Sequence, residues 1–280
     1  MAERATIVVV GNPKGGSGKT TTTFQLGIRL AHAGYRVAFL DVDGRQRSLS
    51  RSMENRMAFA RERGMNLPMP AVRAVPPSGT DEVLERSLIA ALQELRSDHD
   101  IILVDCPGAD TRVSRMAHAC ADTLVTPVNE SFVDLDLIAE VDGNSLKASR
   151  PSWYSEWVWK LRKSRFARDG HRIDWLVVPS RLAGRETRNR KQLHDVLKSL
   201  EGIMGFQTVV GLADRVVFRE LFPKGLGLAD LKLRGLGIAV SMAHVAAHQD
   251  LRRLQAALKL KPITERVTRL VVPEPLVQAS

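Results

Sequence analysis

A glycine-rich segment near the start of the chain constrains the fold more than any other feature. Residues 14–20 read Lys-Gly-Gly-Ser-Gly-Lys-Thr, shortly after the apolar run 7–10 (Ile-Val-Val-Val). The run is typical of a β-strand, and residues 20–33 are compatible with a helix. The glycines therefore fall at a strand-to-helix turn, where a phosphate-binding loop has to lie. A glycine-rich turn with incidental lysines is the alternative, but it does not explain why all these features coincide.

The residues of this loop have separate predicted roles. Gly15, Gly16 and Gly18 let the backbone curl, so that successive N–H groups point at phosphate oxygens. Lys19 is expected to reach the β- and γ-phosphates of a nucleotide, and the Thr20 hydroxyl is expected to bind Mg²⁺. The N-terminus of the following helix adds a partial positive charge. Together these features predict a site for the phosphates of a nucleotide.

Acidic residues stand at the ends of two further apolar runs. Asp41 and Asp43 follow one run, and Asp105 follows another. Catalytic groups of open α/β sheets cluster at the carboxyl ends of strands, so we expect these carboxylates beside the loop, with Asp41 on the same face as Asp43. Asp105 is placed to hold Mg²⁺, directly or through water. Gly108 is placed to sense a γ-phosphate through its backbone N–H.

Strand and helix patterns alternate along the chain. Strands are predicted over residues 6–12, 36–42, 101–106, 123–128, 174–179 and 208–212, and helices over 19–33, 46–63, 81–97, 111–121, 186–200 and 241–258. Several strands are continuous apolar runs, as in parallel sheets covered on both faces. The pattern predicts an α/β fold with a doubly wound, mostly parallel sheet flanked by helices. Residues 64–79 carry four prolines and two glycines and are predicted to be a loop.

The predicted organisation is one domain over residues 1–262 and a flexible tail over residues 263–280. The sequence holds no run of about 18 apolar residues, so no transmembrane helix is expected. The first strand leaves no room for a signal peptide. The chain has two cysteines, Cys106 and Cys120, which suggest neither a disulfide framework nor a zinc cluster. These observations favour the cytoplasm.

The formal net charge of the chain is +10. This balance is unusual for a nucleotide-binding enzyme and indicates a polyanionic partner, either nucleic acid or an acidic membrane. We favour nucleic acid. A generally basic surface that serves solubility is the alternative.

The phosphate-binding loop begins with a second lysine, Lys14, and in this it resembles the deviant P-loop of the ParA/MinD family of ATPases. Later segments are similar to the MipZ branch of that family, whose members position the division plane in bacteria. These segments are residues 41–47, 54–56, 114–118, 129–136 and 219–223. The resemblance extends to about Leu260 and covers nearly the whole chain.

The resemblance implies that the ligands are ATP and Mg²⁺ and that the active form is a homodimer. It implies that Lys14 crosses the dimer interface to the nucleotide of the partner, and that Asp43 orients the attacking water. With Lys19, these two residues form the implied catalytic set. The implied P-loop is therefore completed only when two subunits meet.

The resemblance also implies a metal set and a second switch. Thr20, Asp43 and Asp105 are the implied Mg²⁺ ligands, Asp105 either directly or through water. Pro107 and Gly108 match switch II, the family's second nucleotide-sensing segment. The implied ATP-binding residues are Lys14, Gly15, Gly16, Ser17, Gly18, Lys19, Thr20, Thr21 and Arg181.

Two positions depart from the family pattern. Ser180 precedes Arg181 where relatives usually carry an asparagine that contacts the base, and a hydroxyl cannot offer the paired hydrogen bonds of an amide. The sequence therefore predicts phosphate binding without fixing the nucleobase. Gly44 and Arg45 stand where the family often has a proline before the glutamine, and this departure is expected to change the flexibility of switch I.

Basic residues in the C-terminal half are candidates for DNA binding. The predicted helix 186–200 is apolar on one side and basic on the other, and a solvated helix face is the simpler interpretation. In the MipZ and ParA families, basic residues of this region bind DNA without sequence preference, through phosphate contacts that weaken with salt. Two such patches in an ATP-bridged dimer would act together. The candidate residues are Arg188, Lys191, Lys198, Arg215, Arg219 and Lys224.

A second basic tract, residues 153–168, interleaves aromatic and basic side chains. Such a pattern is compatible with stacking on nucleic-acid bases. We favour the interpretation that its tryptophans pack into the core or an interface.

The implied function is a switch in which the ATP-bound dimer binds nucleoid DNA and hydrolysis returns it to monomers. The resemblance implies a ParB-type partner at the chromosome origin, FtsZ as the antagonised target, and no membrane insertion. A segregation ATPase of the ParA type shares the chemistry and differs only in its partners.

Two further alternatives use the same fold. A membrane-cycling regulator like MinD needs a basic amphipathic C-terminal helix, and Pro273 and Pro275 argue against one. An iron–sulfur reductase or cluster carrier would use cysteines from two subunits. Cys106 and Cys120 do not form a spaced pair, and we interpret them as small buried hydrophobic residues.

Overall fold

The structure is a computed structural model. It describes residues 4–129, 132–141, 148–180, 188–209, 211–212 and 216–263. The strands of its main sheet are β1 (Thr6–Val10), β2 (Val37–Asp41), β3 (Ala71–Ala74), β4 (Ile101–Asp105), β5 (Thr123–Asn129), β8 (Asp174–Ser180) and β9 (Gln207–Thr208). Strands β6 (Ala139–Val141) and β7 (Ala148–Pro151) form a separate antiparallel pair.

The main sheet has seven strands in the order β3-β2-β4-β1-β5-β8-β9, and its recorded strand pairs are parallel. The helices around it are α1 (Lys19–His32), α2 (Ser48–Arg63), α3 (Asp81–Arg96), α4 (Arg112–Cys120), α5 (Phe132–Leu135), α6 (Trp153–Asp169), α7 (Arg188–Met204), α8 (Val216–Leu221) and α9 (Met242–Ala257). Short 3₁₀ turns occupy Phe222–Lys224 and Leu228–Lys232.

Strand β1 shows why the sheet is buried on both faces. Its side chains alternate: Ile7 and Val9 pack into one hydrophobic cluster, and Val8 and Val10 pack into the other. Helices α3, α4, α6 and α7 complete the first cluster, and α1, α2 and α9 complete the second. The predicted doubly wound, parallel α/β fold is confirmed.

The prediction that residues 64–79 form only a loop is wrong, because they contain strand β3. This strand pairs with β2 at the edge of the sheet, and its four residues are only partly buried or exposed. An edge strand needs no continuous apolar run, and flanking prolines are tolerated there. The predicted strand 208–212 is also too long, because β9 spans only Gln207–Thr208.

Residues 132–141 and 148–169 contain elements that the sequence patterns did not predict. These are α5, the β6–β7 pair and the long helix α6. Tyr154 and Val158 of α6 are buried against the core, whereas Trp153 is 53% exposed and Trp159 is 48% exposed. Trp157 is partly buried against the core. Trp157 thus follows the expected packing into the core, whereas for Trp153 and Trp159 only the expected packing into an interface remains, and it stays a prediction.

A fully buried ion pair fastens α2 to the C-terminal part of the chain. The Arg56 guanidinium donates to both carboxylate oxygens of Asp230, at 2.7 and 2.8 Å. It also donates to the carbonyl oxygens of Pro68 and Gly225, at 2.9 and 3.0 Å. His32, at the end of α1, lies 2.7 Å from the same carboxylate. Three distant segments are therefore joined at one buried carboxylate.

The predicted boundary between a domain over residues 1–262 and a flexible tail remains a prediction, because residues 264–280 lie outside the described residues. Among the residues that the structure describes, no helix has both the length and the apolar character needed to cross a bilayer.

Candidate nucleotide-binding site

The loop between β1 and α1 has the backbone conformation that its glycines allow. Gly16 and Gly18 adopt left-handed φ values of 71° and 87°, which side-chain-bearing residues rarely occupy. The loop ends at Lys19, the first residue of α1. The unpaired amides of a helix start and its partial positive charge therefore face the cavity beside this loop.

The Lys19 ammonium lies inside the curl of the loop. It donates to the carbonyl oxygen of Lys14 at 2.8 Å and lies 3.4 Å from the Ser17 hydroxyl. Burial lowers the pKa of Lys19, and the nearby carboxylates of Asp105 and Asp43 oppose that effect. A desolvated ammonium with an incomplete set of acceptors is suited to bind an incoming phosphate.

Asp105 lies directly beneath the start of α1. It accepts a hydrogen bond from the Thr20 hydroxyl at 2.6 Å and another from the Thr23 hydroxyl at 3.2 Å. Burial raises the pKa of Asp105 to about 7; the Thr20 hydrogen bond opposes this shift, and Asp41 adds to it. Asp41 is the residue of β2 that pairs in register with Asp105 of β4.

The pair formed by Thr20 and Asp105 fits Mg²⁺ by the chemistry of its donors. Mg²⁺ is bound by hard oxygen ligands and takes one or two protein groups, with water and substrate phosphates completing the octahedron. Among the described residues, no group of three or more His, Cys, Asp or Glu side chains is arranged to hold a metal ion. The site thus resembles one that is completed by a nucleotide rather than a metal cage made of protein alone.

The segment after β2 is held by Asp41. One oxygen of this carboxylate accepts from the Asp43 backbone N–H at 3.1 Å, and the other accepts from the Ser50 backbone N–H and hydroxyl at 3.1 and 3.0 Å. Asp43 in turn accepts from the Gln46 N–H at 3.1 Å. Ser50 escaped the sequence analysis, although a serine in the first turn of a helix after a strand-end aspartate is a usable signal.

Close packing accounts for the glycine at position 44, one of the two switch I positions that depart from the family pattern. A Cβ at this position would lie 2.6 Å from the carbonyl oxygen of Pro76 and 2.7 Å from that of Val75. These distances are too short for any side chain, so close backbone packing against the segment after β3 requires glycine here.

These elements surround one open cavity of about 770 Å³. Its walls are the loop residues 15–21, the switch I residues 42–46, the segment 75–79 and the residues 106–109. The structure therefore brings together Lys19, Thr20 and Asp43 of the predicted set, with Asp105 behind Thr20. Gly108 also contacts the loop, because a Cβ on it would lie 2.7 Å from the Cα of Gly15.

Lys14 points away from this cavity, towards α5. Its ammonium lies 3.3 Å from the carboxylate of Asp134, and its side chain is 37% exposed. Its backbone N–H donates to the Asn12 side chain, whose amide donates to the Pro127 carbonyl oxygen. The sequence did not indicate Asp134 as the partner of Lys14, because the two residues are 120 positions apart in the chain.

A buried polar cluster supports the loop from behind. His118 donates through Nδ1 to the Ser114 carbonyl oxygen at 2.7 Å, and its Nε2 lies 3.3 Å from the Tyr154 hydroxyl. That hydroxyl lies 3.4 Å from the carbonyl oxygen of Gly11, the residue that precedes the loop. Helix α6 is thereby connected to the base of the phosphate-binding loop.

The candidate DNA-binding residues do not all fall within the described part of the chain. Arg215 lies outside it, as does the ATP-binding candidate Arg181, and the side chains of Arg188 and Lys191 in α7 are likewise not described. Lys198 donates to Glu201 at 2.8 Å. This pairing reduces the positive charge that Lys198 presents to a polyanion.

The remaining two candidates lie close together in the chain. Arg219 is in α8, and the exposed Lys224 ends the following 3₁₀ turn. Both lie near the segment that Arg56 fastens to α2.

Neither cysteine is placed as expected of a cluster ligand. Burial raises the pKa of Cys106 to about 12, which disfavours the thiolate that binds iron. Cys106 is buried as expected, and Cys120 is partly buried and packs against the same hydrophobic cluster.

Comparison with known families decides the affiliation. The model of the family described as "ATPase MipZ" matches residues 6–262. The chain belongs to the MipZ family of ATPases. This membership confirms the resemblance inferred from the loop and from the scattered later segments, and it makes the chain a P-loop ATPase.

Individual relatives are more distant. The chain is 32% identical over 141 residues to "Protein ParA" of Rhizobium radiobacter, covering 48% of this chain and 56% of that protein. It is 30% identical over 167 residues to the septum site-determining protein MinD of Helicobacter pylori, covering 52% and 62%. The matched region thus spans less than two thirds of either relative.

Solved structures with low sequence identity share the fold. The McdA(D38A)–ATP complex from Cyanothece has a TM-score of 0.58 at 17% identity, covering 93% of this chain and 99% of that one. MinD of Pyrococcus horikoshii in complex with Mg-ADP has a TM-score of 0.54 at 17% identity, covering 91% and 97%. Both similarities place this chain in the ParA/MinD fold group of P-loop NTPases.

Proposed function

We propose that this MipZ-family ATPase is an ATP-dependent dimerisation switch that binds DNA as the ATP dimer and positions the division site. The observation that carries the proposal is the convergence of Lys19, Thr20 and Asp43 on one cavity, with Asp105 behind Thr20. The two structural neighbours named with ATP and Mg-ADP share this fold. They support ATP and Mg²⁺ as the ligands.

The chain's own groups suit the binding of a triphosphate. The loop amides and the start of α1 would hold phosphate oxygens, and Lys19 would exchange its contact with the Lys14 carbonyl oxygen for the β- and γ-phosphates. Thr20 and Asp105 would hold Mg²⁺, which when bound neutralises charge on the phosphates. Arg181 lies outside the described residues, and its contact with the nucleotide stays a prediction. The base that the site prefers is not assigned.

Hydrolysis would need an oriented water, and Asp43 is the group we assign to that task. Asp43 lines the cavity. Its carboxylate accepts from the Gln46 N–H, and its backbone N–H donates to the Asp41 carboxylate. Water attacks the γ-phosphorus, the bond to the β–γ bridging oxygen breaks, and ADP and phosphate form. Gly108 contacts the phosphate-binding loop and Pro107 lines the same cavity, so both would respond to the loss of the γ-phosphate.

Dimerisation would require Lys14 to change partners. In the monomer its ammonium lies beside Asp134. In the proposed dimer it would reach the phosphates on the facing subunit, where a charge-assisted contact to a more highly charged group replaces a partly exposed ion pair. ATP would thereby favour the dimer more than ADP does.

DNA binding rests on charge. The chain carries a net charge of +10. Arg219 and Lys224 lie just before Gly225, whose carbonyl oxygen accepts a hydrogen bond from Arg56 of α2, the helix that follows switch I. We assign DNA contacts to this segment and to Arg188, Lys191 and Arg215, with a smaller share for the Glu201-paired Lys198. The contacts would be to phosphates and would not read sequence.

The cellular role is assigned from the family. We propose a nucleoid-associated, cytoplasmic protein that works with a ParB-type partner and antagonises FtsZ assembly. A ParA-type role in partition is the second candidate, and the Rhizobium radiobacter relative named ParA supports it. A solved complex of MinC and MinD from Aquifex aeolicus has a TM-score of 0.53 to this chain at 18% identity, covering 90% of this chain and 96% of that one.

DNA binding by the purified chain tests the switch. A labelled duplex is titrated with protein in ATP, ADP or no nucleotide at two salt concentrations, for wild type and Asp43→Ala. The proposal expects binding in ATP only, weakened by salt and prolonged in Asp43→Ala. Lys224→Ala should weaken it, whereas Arg86→Ala removes an exposed charge from α3, outside both candidate DNA-binding tracts, and should not. Equal binding in ATP and ADP would refute the coupling.

A further inference from the structure

A second cleft lies far from the phosphate-binding loop, between the ends of α1 and α9. It has a volume of about 370 Å³. Helix α1 starts at the loop and is 14 residues long, so its other end lies roughly 20 Å from the nucleotide site. The cleft is lined by Arg29, Tyr35, Arg252, Gln255, Lys259 and Leu260, with Ala256.

The charged side chains that line this cleft are all cationic. They are Arg29, Arg252 and Lys259, and no acidic residue is among the lining residues. Within the described part of the chain, no ion pair is recorded for any of the three. The neighbouring Arg253 is different, because it lies 3.5 Å from Asp250 of the same helix.

Two buried polar atoms at the cleft have no hydrogen-bond partner among the described residues. They are Nε of Arg29 and Oε1 of Gln255. Unsatisfied buried polar groups are rare in folded proteins because each costs desolvation free energy. The Arg29 guanidinium has one recorded contact, 3.3 Å from Nε2 of His248.

The local field is positive. Burial lowers the pKa of Arg29, and Arg252 lowers it further. Burial also lowers the pKa of His248, with Arg29, Lys232 and Arg252 adding to the shift. Like charges that repel one another in a half-buried cleft would be stabilised by a bound anion.

The simpler explanation is that these cations complement the carbonyl ends of two helices. That explanation covers Arg252 and Lys259, which are exposed. It does not account for the unsatisfied Nε of the partly buried Arg29. Lys259 also has a left-handed backbone, with φ of 48°. Lys259 directly follows the C-cap of α9, where a left-handed residue commonly ends a helix, so this conformation only places its side chain at the cleft.

We propose that this cleft binds the phosphate groups of a small anion of the diphosphate class. Arginine presents its donors in a fork that matches phosphate oxygens, and lysine adds a point charge. The volume is near the lower end of the range for small-ligand pockets. Tyr35 supplies an aromatic wall beside the cations. The site is separate from the nucleotide cavity and does not depend on ATP hydrolysis.

Calorimetric titration with inorganic pyrophosphate tests the proposal. The full chain is first given one equivalent of ADP, which occupies the phosphate-binding loop without a free excess to fill the cleft. A Lys19→Gln variant without ADP provides a second way to remove loop binding. Wild type and Arg253→Gln should bind pyrophosphate equally, since Arg253 does not line the cleft. The double variant Arg252→Gln/Lys259→Gln should bind at least about tenfold more weakly, as expected for losing two charge-assisted contacts.

Several outcomes would overturn the proposal. One is pyrophosphate binding that is absent in wild type, or unchanged in the double variant while circular dichroism shows native folding. Another comes from a second arm with a labelled DNA duplex. If the double variant loses duplex binding but keeps pyrophosphate binding, the cleft contacts the nucleic-acid backbone and not a small anion.

Discussion

Removing the charge of Asp230, the buried partner of Arg56 on α2, should destabilise the fold far more than removing the charge of Glu54, an exposed carboxylate on α2 itself. Arg56 and Asp230 have side chains that are 0% exposed. Asp230→Asn leaves the guanidinium charged and buried, and breaking such a pair costs about 3–5 kcal/mol. Arg56 keeps its hydrogen bonds to the Pro68 and Gly225 carbonyl oxygens, so we expect about 3 kcal/mol, the lower end of that range.

Glu54→Gln is the matched control. Glu54 also lies on α2, and it pairs with Arg47 at 3.2 Å, but the two side chains are 57% and 59% exposed. An exposed pair of this kind contributes at most about 1 kcal/mol. Urea unfolding followed by circular dichroism at pH 7 measures both free energies of unfolding. A loss for Asp230→Asn no larger than that for Glu54→Gln would refute the reasoning.

The pH dependence provides a second check on the same pair. Burial alone would raise the pKa of Asp230, but hydrogen bonds from Arg56 and His32 hold it below its ordinary value of 3.8. A carboxylate whose pKa is lowered by folding contributes stability above its unfolded pKa and loses it as the pH falls through the folded pKa. The difference between wild type and Asp230→Asn should therefore be complete at neutral pH and shrink only below pH 3.8.

Three further predictions follow from single contacts. Burial lowers the pKa of His118 from 6.5 to about 4, so the free energy of unfolding of wild type should fall by on the order of 3 kcal/mol as the pH decreases between those values. In urea unfolding His118→Gln should abolish this fall, whereas the exposed control His171→Gln should keep it. Gly108→Ala should weaken fluorescent-ADP binding about tenfold, because its Cβ would lie 2.7 Å from Gly15; unchanged affinity would contradict the contact. Asp134→Asn should tighten the ATP-dependent dimer up to about fivefold in sedimentation, since the partly exposed pair with Lys14 is worth at most about 1 kcal/mol. A weaker dimer would contradict that role.

The sequence predicted the parts of this molecule that are encoded locally. The apolar runs before the loop and before Asp105 fixed strands β1 and β4, and glycines at the turn fixed the loop. Because the carboxyl ends of parallel strands meet at one edge of the sheet, the sequence alone predicted that Asp43 and Asp105 lie beside the loop.

Features that depend on distant contacts were not predictable in this way. Arg56 and Asp230 are separated by 174 residues, and neither has a local pattern that marks it as buried. Asp134 became visible only when α5 was placed beside Lys14. Strand β3 was missed because an edge strand needs no continuous apolar run.

The cationic cleft illustrates the same limit. Arg29 and Arg252 are unremarkable in the sequence, where each reads as a solvated position on an amphipathic helix. Their meeting depends on how α1 and α9 pack on one face of the sheet. Charge clusters of this kind therefore require a fold before they can be recognised.

Sedimentation velocity of the hydrolysis-impaired Asp43→Ala protein tests the central claim most directly. The account predicts a dimer in ATP and a monomer in ADP. It also predicts that adding Lys14→Ala returns the ATP sample to monomers, whereas adding the control Lys163→Ala leaves the dimer intact. Dimers that form in ADP as readily as in ATP, or that persist without Lys14, would contradict it.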